Sequence, residues 1–264
     1  MKCWNEFGYL KKVLVCEPQY LMKPKSLEVS LDMAMKQHRH FVSVLEEFGV
    51  EVVKLQPQTQ FPEQIFTRDI GFILGENLFV SKMANYLRQG EEEYLKQWLE
   101  HANIPFQAFN QGVIEGGDVI IDGHTIFVGV SNRTNREAIE QLKKWLPNFE
   151  VVEVPFTDSY LHLDCVFNII SPTEAIIFPE EIHGEKVKNL KKRYDLIKVS
   201  KEEQATLATN ILSIGEKRVI SLPINKELNS QLRKRGYDII EVDITEIIKF
   251  GGAFRCCTLP LLRE

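Results

Sequence analysis

The stretch "DIGFILGENLFVS", residues 69–81, decides the fold. Two short apolar runs flank a Gly-Glu-Asn turn, the pattern of a β-hairpin. The pattern returns in "DVIIDGHTIFVGV" (118–130), "DCVFNIISPTEAIIF" (164–178) and "NILSIGEKRVISLP" (210–223). The residues that open these stretches are 49, 46 and 46 positions apart, and a further step of 46 reaches Cys256, which opens "CCTLPLL". The sequence therefore predicts four hairpins and one single final strand.

A helical pattern and a short strand follow the hairpins. The helical patterns include "GEEEYLKQWLEHA" (90–102), "TNREAIEQLKKWL" (134–146) and "GEKVKNLKKRY" (184–194), and the short strands are 104–109, 149–154, 194–199 and 237–242. At the start of the chain, 9–18 and 50–55 read as strands around a helix over 26–49, and we expect the final strand to pair with the first.

The chain thus reads as five strand-strand-helix-strand units. Each unit is too small to bury its own apolar face, so repeats at this spacing stack radially or linearly. We expect an α/β fold in which the five units close a ring, with no linker dividing the single domain over 1–264. The alternative is an ordinary α/β sheet whose similar hairpins arose by chance.

Composition excludes several function classes. The net charge is -5 and no basic tract occurs, so we expect no nucleic-acid partner. No apolar run approaches the ~18 residues of a membrane span, and residues 1–8 lack the features of a signal peptide. The five cysteines contain no CxxC pair, which indicates reduced thiols. A cytoplasmic location without a membrane partner is the expectation.

The five unit-opening positions are chemically unusual. In a ring they converge on the central axis, and they carry Asp69, Asp118, Asp164, Asn210 and Cys256. Buried carboxylates without partners are costly. A cationic ligand at the axis would supply those partners.

Three residues are candidates for catalysis. Cys256 is a candidate nucleophile, although a cysteine is more often a small buried apolar residue. His162 lies two residues before Asp164, so in an extended segment both side chains face the same side and His162 is a candidate acid/base. Glu115, in "IEGGDVII", is a candidate acceptor for a hydrogen bond from His162. Asp118 is a further acid near the site or a structural acceptor for turn amides.

Asp69 and Asp164 are candidate ligands for a planar cation, because a guanidinium pairs with carboxylates through parallel N–H donors. The alternative for Asp69 is an ion pair with Arg68. Arg133 either binds a substrate carboxylate or simply precedes a helix. His162, Asp164 and Cys165 lie close in sequence but no second ligand set appears, so we expect no metal. GxSxG, Walker and GxGxxG motifs are absent.

Five motifs follow one another along nearly the whole chain: "FTRD" (66–69), "EGGDV" (115–119), "GVSNRT" (129–134), "HLD" (162–164) and "GGAFRCCTLP" (251–260). In this order they resemble the guanidino-group-modifying enzymes of the pentein fold, which include arginine deiminases, dimethylarginine dimethylaminohydrolases and amidinotransferases. The resemblance implies a five-bladed αβ-propeller of ββαβ units without metal or organic cofactor. It implies that Cys256 is the nucleophile, with His162 as acid/base supported by Glu115.

The resemblance also implies ligand-binding roles. Asp69 and Asp164 match aspartates that grip a guanidinium, and Arg133 matches the arginine that holds an α-carboxylate. Glu63 keeps an acidic residue that touches the guanidinium in dimethylargininases, and Lys82 stands where those enzymes usually have a carboxylate-binding arginine. Cys257 matches a neighbouring cysteine that is not the nucleophile. The segment 17–26, near Leu21, is either a lid or a plain surface loop.

The expected reaction is hydrolysis of a guanidino C–N bond through a covalent thiouronium, which releases a ureido product such as citrulline and ammonia or an alkylamine. The compact length resembles dimethylargininases, whereas "FTRD" and "HLD" resemble deiminases and amidinotransferases. Amidino transfer and a purely binding role, as in the ribosome anti-association factor with this fold, remain as alternatives. The chain is expected to be a monomer or homodimer.

Overall fold

The computed structural model describes residues 1–21 and 28–264, and it places their strands in five three-stranded sheets. The strands are β1 (Leu10–Cys16), β2 (Glu51–Leu55), β3 (Gly71–Leu74), β4 (Asn77–Val80), β5 (Gln107–Ala108), β6 (Val119–Asp122), β7 (Thr125–Val130), β8 (Glu150–Pro155), β9 (Phe167–Ile169), β10 (Glu174–Ile177), β11 (Asp195–Lys198), β12 (Leu212–Gly215), β13 (Arg218–Ser221), β14 (Asp238–Glu241) and β15 (Leu259–Arg263).

The helices of the described residues are α1 (Leu31–Glu47), α2 (Glu91–His101), α3 (Arg136–Trp145), α4 (Gly184–Arg193), α5 (Lys201–Gln204), α6 (Lys226–Lys234) and α7 (Thr245–Ile248). Short 3-10 turns cover Gly116–Asp118, Leu163–Cys165, Pro179–Glu181 and Ala208–Asn210. None of these helices combines the length and apolar character that crossing a bilayer requires.

All five sheets have the same internal pairing. In the second sheet, β4 is antiparallel to β3 across a hairpin and parallel to β5 after α2. The third, fourth and fifth sheets repeat this with a hairpin and a parallel third strand. In the first sheet the final strand β15 pairs antiparallel with β1, and β1 pairs parallel with β2. The predicted repeats, and the predicted pairing of the last strand with the first, are therefore present.

The apolar core is divided among the contacts between consecutive sheets. Phe72 of the second sheet packs in one cluster with Val119 of the third. Val13 of the first sheet shares a cluster with Leu212 and Ile220 of the fifth. The remaining clusters join the first sheet to the second, the third to the fourth and the fourth to the fifth. Each unit thus buries its face against its neighbours, as small repeats must.

Two element boundaries differ most from the predictions. The strand expected over 104–109 is only Gln107–Ala108, since Pro105 has no backbone N–H to donate to a ladder. The helix expected over 26–49 begins at Leu31, where the Ser30 side chain accepts a hydrogen bond from the Met33 N–H at 3.2 Å. This is an N-cap, which satisfies a backbone donor that the helix itself leaves free.

Candidate active site

The turns that open the five units are joined to one another by hydrogen bonds. The bonds run from Gly116 N to Asp69 O (3.1 Å), Leu163 N to Asp118 Oδ1 (2.8 Å), Asn210 Nδ2 to Asp164 O (3.1 Å), Cys256 N to Asn210 Oδ1 (3.3 Å) and Arg68 N to Cys256 O (3.1 Å). The five opening positions, distant in sequence, are thereby brought close together and buried.

Asp118 and Asn210 have structural contacts at these positions. Asp118 accepts the Leu163 N–H with one oxygen and the Ser131 hydroxyl at 2.7 Å with the other. Burial raises the pKa of the Asp118 carboxyl to about 6, against the opposing effect of His162. Of the two roles considered for Asp118, the acceptor of turn amides is the one its contacts support.

His162 lies between two carboxylates. Its Nε2 is 2.7 Å from Glu115 Oε2 and its Nδ1 is 3.4 Å from Asp69 Oδ1. Only 2% of His162 is exposed. Burial alone would lower the pKa of this imidazole, but the charge of Asp69 and the hydrogen bond to Glu115 raise it to about 10. His162 is therefore an imidazolium at neutral pH.

Glu115 is held from three sides and is itself fully buried. Its Oε1 accepts the Ala84 N–H at 3.0 Å, and both oxygens lie 3.4 Å from Arg133 Nη1. Although burial raises the pKa of the Glu115 carboxyl, the hydrogen bond and charge of His162 lower it below its ordinary value. The pair is thus a carboxylate and an imidazolium in fixed orientation.

Gly117 makes room for this pair. A Cβ at this position would lie 2.7 Å from His162 Cγ and 2.9 Å from Asp69 Oδ1. Both distances are shorter than van der Waals contact, so no other residue fits without displacing the imidazole. The second glycine of "EGGDV" is therefore explained by the close approach of backbone to side chain.

Arg88 is the partner of Asp69, and the sequence analysis missed it. Its Nη1 donates to Asp69 Oδ2 at 2.6 Å, and its Nη2 donates to Glu91 Oε2 at 2.8 Å. The alternative expected for Asp69, an ion pair with Arg68, is wrong, because Arg68 instead donates to Glu6 at 3.1 Å. Among the described residues, Asp69 Oδ1 makes no hydrogen bond.

Asp164, Cys165 and Cys256 form a second group. One ligand atom of each residue, the thiol sulfurs and a carboxylate oxygen, lies within 4.8 Å of the others, and all three residues are buried. Cys165 Sγ donates to Asp164 Oδ1 at 3.6 Å. Asp164 Oδ2 makes no hydrogen bond in the described part of the chain and lies 3.7 Å from Arg255 Nε. Burial raises the pKa of Asp164, opposed by the charge of Arg255.

The backbone between the two groups is not the extended segment expected. Residues Leu163–Cys165 form a 3-10 turn. The alternation that puts residues i and i+2 of a strand on the same side therefore does not apply to His162 and Asp164. His162 belongs to the group with Asp69 and Glu115, whereas Asp164 belongs to the group with the cysteines. Since the two residues are separated by one position, the groups are neighbours.

The two groups also correct the expectation that only one set of potential metal ligands exists. Neither set of potential metal ligands can be recognised from sequence spacing, because the members of each set come from separate turns. Metal binding at either set would have to release protons, because His162 carries a proton and the pKa of Cys165 is raised well above its ordinary value by its contact with Cys256 and by burial.

The remaining candidate residues surround these groups less tightly. Glu63 has a half-exposed side chain, 3.7 Å from Arg88 Nε. Lys82 donates to the Asn110 carbonyl at 3.0 Å, and its backbone pairs with Ile114, next to Glu115. Leu21 is buried in the same apolar cluster as Cys256. Of the segment 17–26, residues 22–26 lie outside the described residues.

Cys257 is as buried as Cys256, so burial does not distinguish the two thiols. The neighbours of the two thiols distinguish them. Cys256 belongs to the group of close ligand atoms with Asp164 and Cys165, whereas Cys257 does not. Burial raises the pKa of the Cys257 thiol well above its ordinary value. Cys257 therefore has the environment of an inert core residue.

The repeated three-stranded sheets, the buried Glu-His pair and the nearby thiol agree with the family match and the relatives that follow, which place the chain among the guanidino-group-modifying enzymes of the pentein superfamily. Within that class, the family described as "N,N dimethylarginine dimethylhydrolase, eukaryotic" matches residues 19–263, and the chain belongs to it.

Similar proteins support the class. The chain is 47% identical over 271 residues to the uncharacterized protein YkgA of Bacillus subtilis, covering 99% of this chain and 95% of that protein. The product-bound N-terminal domain of ArgZ, a cyanobacterial arginine dihydrolase, superposes with a TM-score of 0.87 at 25% identity, covering 96% of this chain and 97% of that one. The amidinotransferase SxtG from Microseira wollei shares the fold, with a TM-score of 0.88 at 19% identity over 100% of this chain and 97% of that one.

Proposed function

We propose that this protein is a cysteine-dependent hydrolase that cleaves a C–N bond in the guanidino group of arginine or an N-methylated arginine. Cys256 is the nucleophile, His162 the general acid and base, and Glu115 the group that orients the imidazole. The five sheets close a five-bladed propeller whose axis carries the site. The location is cytoplasmic, which suits the five free cysteines.

One observation carries the proposal: the His162 imidazole lies between the carboxylates of Glu115 and Asp69, which raise its pKa to about 10. An imidazolium at this position supplies the proton that an amine needs in order to leave. The paired carboxylate fixes which nitrogen faces the substrate, as the third member of a catalytic triad does.

The free carboxylate oxygens support a cationic substrate. Asp69 Oδ1 and Asp164 Oδ2 are buried and accept no hydrogen bond from the described residues. Unpaired buried acceptors are costly, and the N–H groups of a guanidinium satisfy them with charge-assisted bonds. Asp69 keeps its second oxygen on Arg88, so the substrate shares this carboxylate with a protein guanidinium.

The reaction then follows in two halves. The Cys256 thiolate attacks the guanidinium carbon and forms a C–S bond, while His162 donates its proton to the departing ammonia or alkylamine. The neutral imidazole next takes a proton from water, whose oxygen attacks the thiouronium carbon. The C–S bond breaks, the ureido product leaves, and the thiolate and imidazolium are restored. Orientation and charge pairing supply most of the rate gain.

Arg133 is the proposed ligand of the substrate's α-carboxylate. Its contacts with Glu115 are long, 3.4 Å, and its side chain is partly exposed, so it is free to bind a second carboxylate. Lys82, Glu63 and Leu21 complete the proposed binding surface. The name of ArgZ, an arginine dihydrolase, supports an arginine-type substrate, whereas the family description supports a methylated one.

A colorimetric assay for ureido product tests the proposal, with arginine, N-methylated arginines, agmatine and guanidino acids as substrates. We expect product from at least one of them, and a Cys256→Ser variant should lose more than about a thousandfold in kcat while it still binds that substrate. A matched Cys257→Ser variant should retain turnover.

Full activity of Cys256→Ser would contradict the proposed nucleophile. No ureido product from any substrate would contradict hydrolysis, and adding acceptor amines to the same reactions would then reveal amidino transfer.

A further inference from the structure

A second cysteine lies beside Cys256 for which the proposed reaction has no use. Cys165 comes from the 3-10 turn at the start of the fourth sheet, and its Sγ is within 4.8 Å of Cys256 Sγ. The two residues are 91 positions apart in sequence, so only the meeting of two turns brings the thiols together. Both belong to one apolar cluster.

Cys165 has a proton acceptor in place. Its S–H donates to Asp164 Oδ1 at 3.6 Å. A thiol attacks another sulfur as the thiolate, so it reacts when a base can take its proton. The Asp164 carboxyl oxygen, which the S–H of Cys165 already contacts, is the nearest acceptor for that proton.

A cavity also borders this residue. Cys165 lines a cavity of about 330 Å³ together with Tyr160, Leu161, Leu207 and Gly251. Space of this size admits a molecule as small as a peroxide. Both cysteines are buried, but Cys165 borders this cavity.

We infer that Cys165 and Cys256 form an oxidation site, at which a peroxide converts the two thiols into a reversible disulfide that blocks the nucleophile. The effect on activity rests on the proposed function of Cys256, whereas the bond itself does not.

The chemistry balances with one peroxide per disulfide. The Cys256 thiolate attacks a peroxide oxygen, the O–O bond breaks, and Cys256 becomes a sulfenic acid while the other oxygen leaves as hydroxide or alkoxide. Cys165 then passes its proton to Asp164, and its sulfur attacks the sulfenic sulfur. The S–O bond breaks, and the oxygen takes the proton from Asp164 and departs as water. Two thiols lose two electrons and the peroxide gains them.

The other cysteines serve as internal controls. Cys3 and Cys16 are buried in a different apolar cluster from Cys165 and Cys256, and neither belongs to the group of neighbouring ligand atoms that contains these two thiols. Cys257 is adjacent to Cys256 in the chain and is the competing partner for a disulfide. The assignment to Cys165 is therefore specific.

The test is titration with hydrogen peroxide, followed by alkylation in denaturant, intact-mass measurement and non-reducing peptide mapping. We expect the oxidised wild-type protein to carry three alkyl groups where the untreated protein, with five free cysteines, carries five, and to yield a cross-linked peptide that contains residues 165 and 256. Turnover of guanidino substrate should fall to background and return with dithiothreitol. A Cys257→Ala variant should behave as the wild type does.

A Cys165→Ala variant separates this site from simple oxidation of Cys256. Without the second thiol, Cys256 should proceed to sulfinic and sulfonic acids, which gain oxygen mass and are not restored by dithiothreitol. The inference is overturned if the wild type forms no such cross-link, if the cross-link joins 256 to 257, or if Cys165→Ala recovers as fully as the wild type. A cross-link in a protein that turns over no guanidino substrate would sustain the oxidation site and refute only the proposed function.

Discussion

Replacing Arg88 by methionine tests the ionic support of the site directly. Arg88→Met keeps much of the length of the side chain but removes the guanidinium that donates to Asp69 and Glu91. The two carboxylates are 2% and 0% exposed, so water does not replace the lost donors. Breaking a buried ion pair by removing one partner costs about 3–5 kcal/mol.

The expected loss is at the lower end of that range. Burial already raises the pKa of Glu91 above its ordinary value even with Arg88 present, so this carboxyl readily takes up a proton in the variant and escapes part of the penalty. We therefore expect a loss of about 3 kcal/mol in the free energy of unfolding at pH 7. Urea unfolding, followed by circular dichroism, measures it.

The deficit should depend on pH in a definite direction. Arg88→Met removes the charge that opposes the effect of burial on Glu91, so the folded-state pKa of this carboxyl lies further above its unfolded value of about 4. Such a group contributes stability below the unfolded pKa and loses that stability as pH rises through the folded pKa. The difference between variant and wild type should therefore be smaller at pH 5 than at pH 8.

Arg193→Met is the matched control. Arg193 pairs with Glu150 at 2.7 Å, but both side chains are about half exposed, and such surface pairs contribute at most about 1 kcal/mol. If Arg88→Met loses no more stability than Arg193→Met, or if its deficit is the same at pH 5 and pH 8, the assignment of Arg88 as the partner of two buried carboxylates is wrong.

Two further predictions concern the imidazole. Because the folded pKa of His162 is raised to about 10, its contribution to stability is complete below pH ~6.5 and is lost as pH rises through 10, so His162→Gln should flatten the fall in unfolding free energy that the wild type shows over this interval. An equal fall in both proteins, measured by urea unfolding at pH 6 and 10, would contradict the raised pKa. Gly117→Ala places a methyl 2.7 Å from His162 Cγ and should cost about 1–3 kcal/mol by overpacking, together with most of the turnover. Gly184→Ala, where nothing lies within 4 Å of the added methyl, is its control, and equal melting temperatures for the two variants would show that the imidazole simply moves aside.

The sequence predicted the sheets well because their signals are local. Each hairpin has apolar runs on both sides of a turn, and the turn at residue 123 carries a glycine with a φ of 60°, a conformation that glycine adopts without strain. The spacing of the hairpins then located the final strand. The strand predicted over 104–109 is shorter than expected. Pro105 lacks a backbone N–H donor, and the strand that forms has only two residues.

The ionic contacts of the site were not predictable in the same way. Arg88 stands in "YLRQGEEE", which reads as a polar segment before a helix, and nothing in that segment names Asp69, 19 residues earlier, as its partner. Arg68 is the converse case, since its neighbour in sequence is Asp69 but its partner in space is Glu6. Sequence adjacency does not determine ion pairs when a 3-10 turn or loop directs consecutive side chains apart.

The residues that open the five units occupy equivalent backbone positions, but their side chains have different roles. Asp118 and Asn210 each accept a backbone N–H of the next turn with one side-chain oxygen, which fixes the turns relative to one another. Asp69 and Asp164 each keep one oxygen free of hydrogen bonds from the described residues, and Cys256 keeps a thiol beside them. Unpaired buried acceptors reduce stability, so the units with fully used side chains supply the rigidity that holds the others in place. This division explains why a repeat can build a site: the fold requires a turn at each position, but it does not require a carboxylate or a thiol at all five.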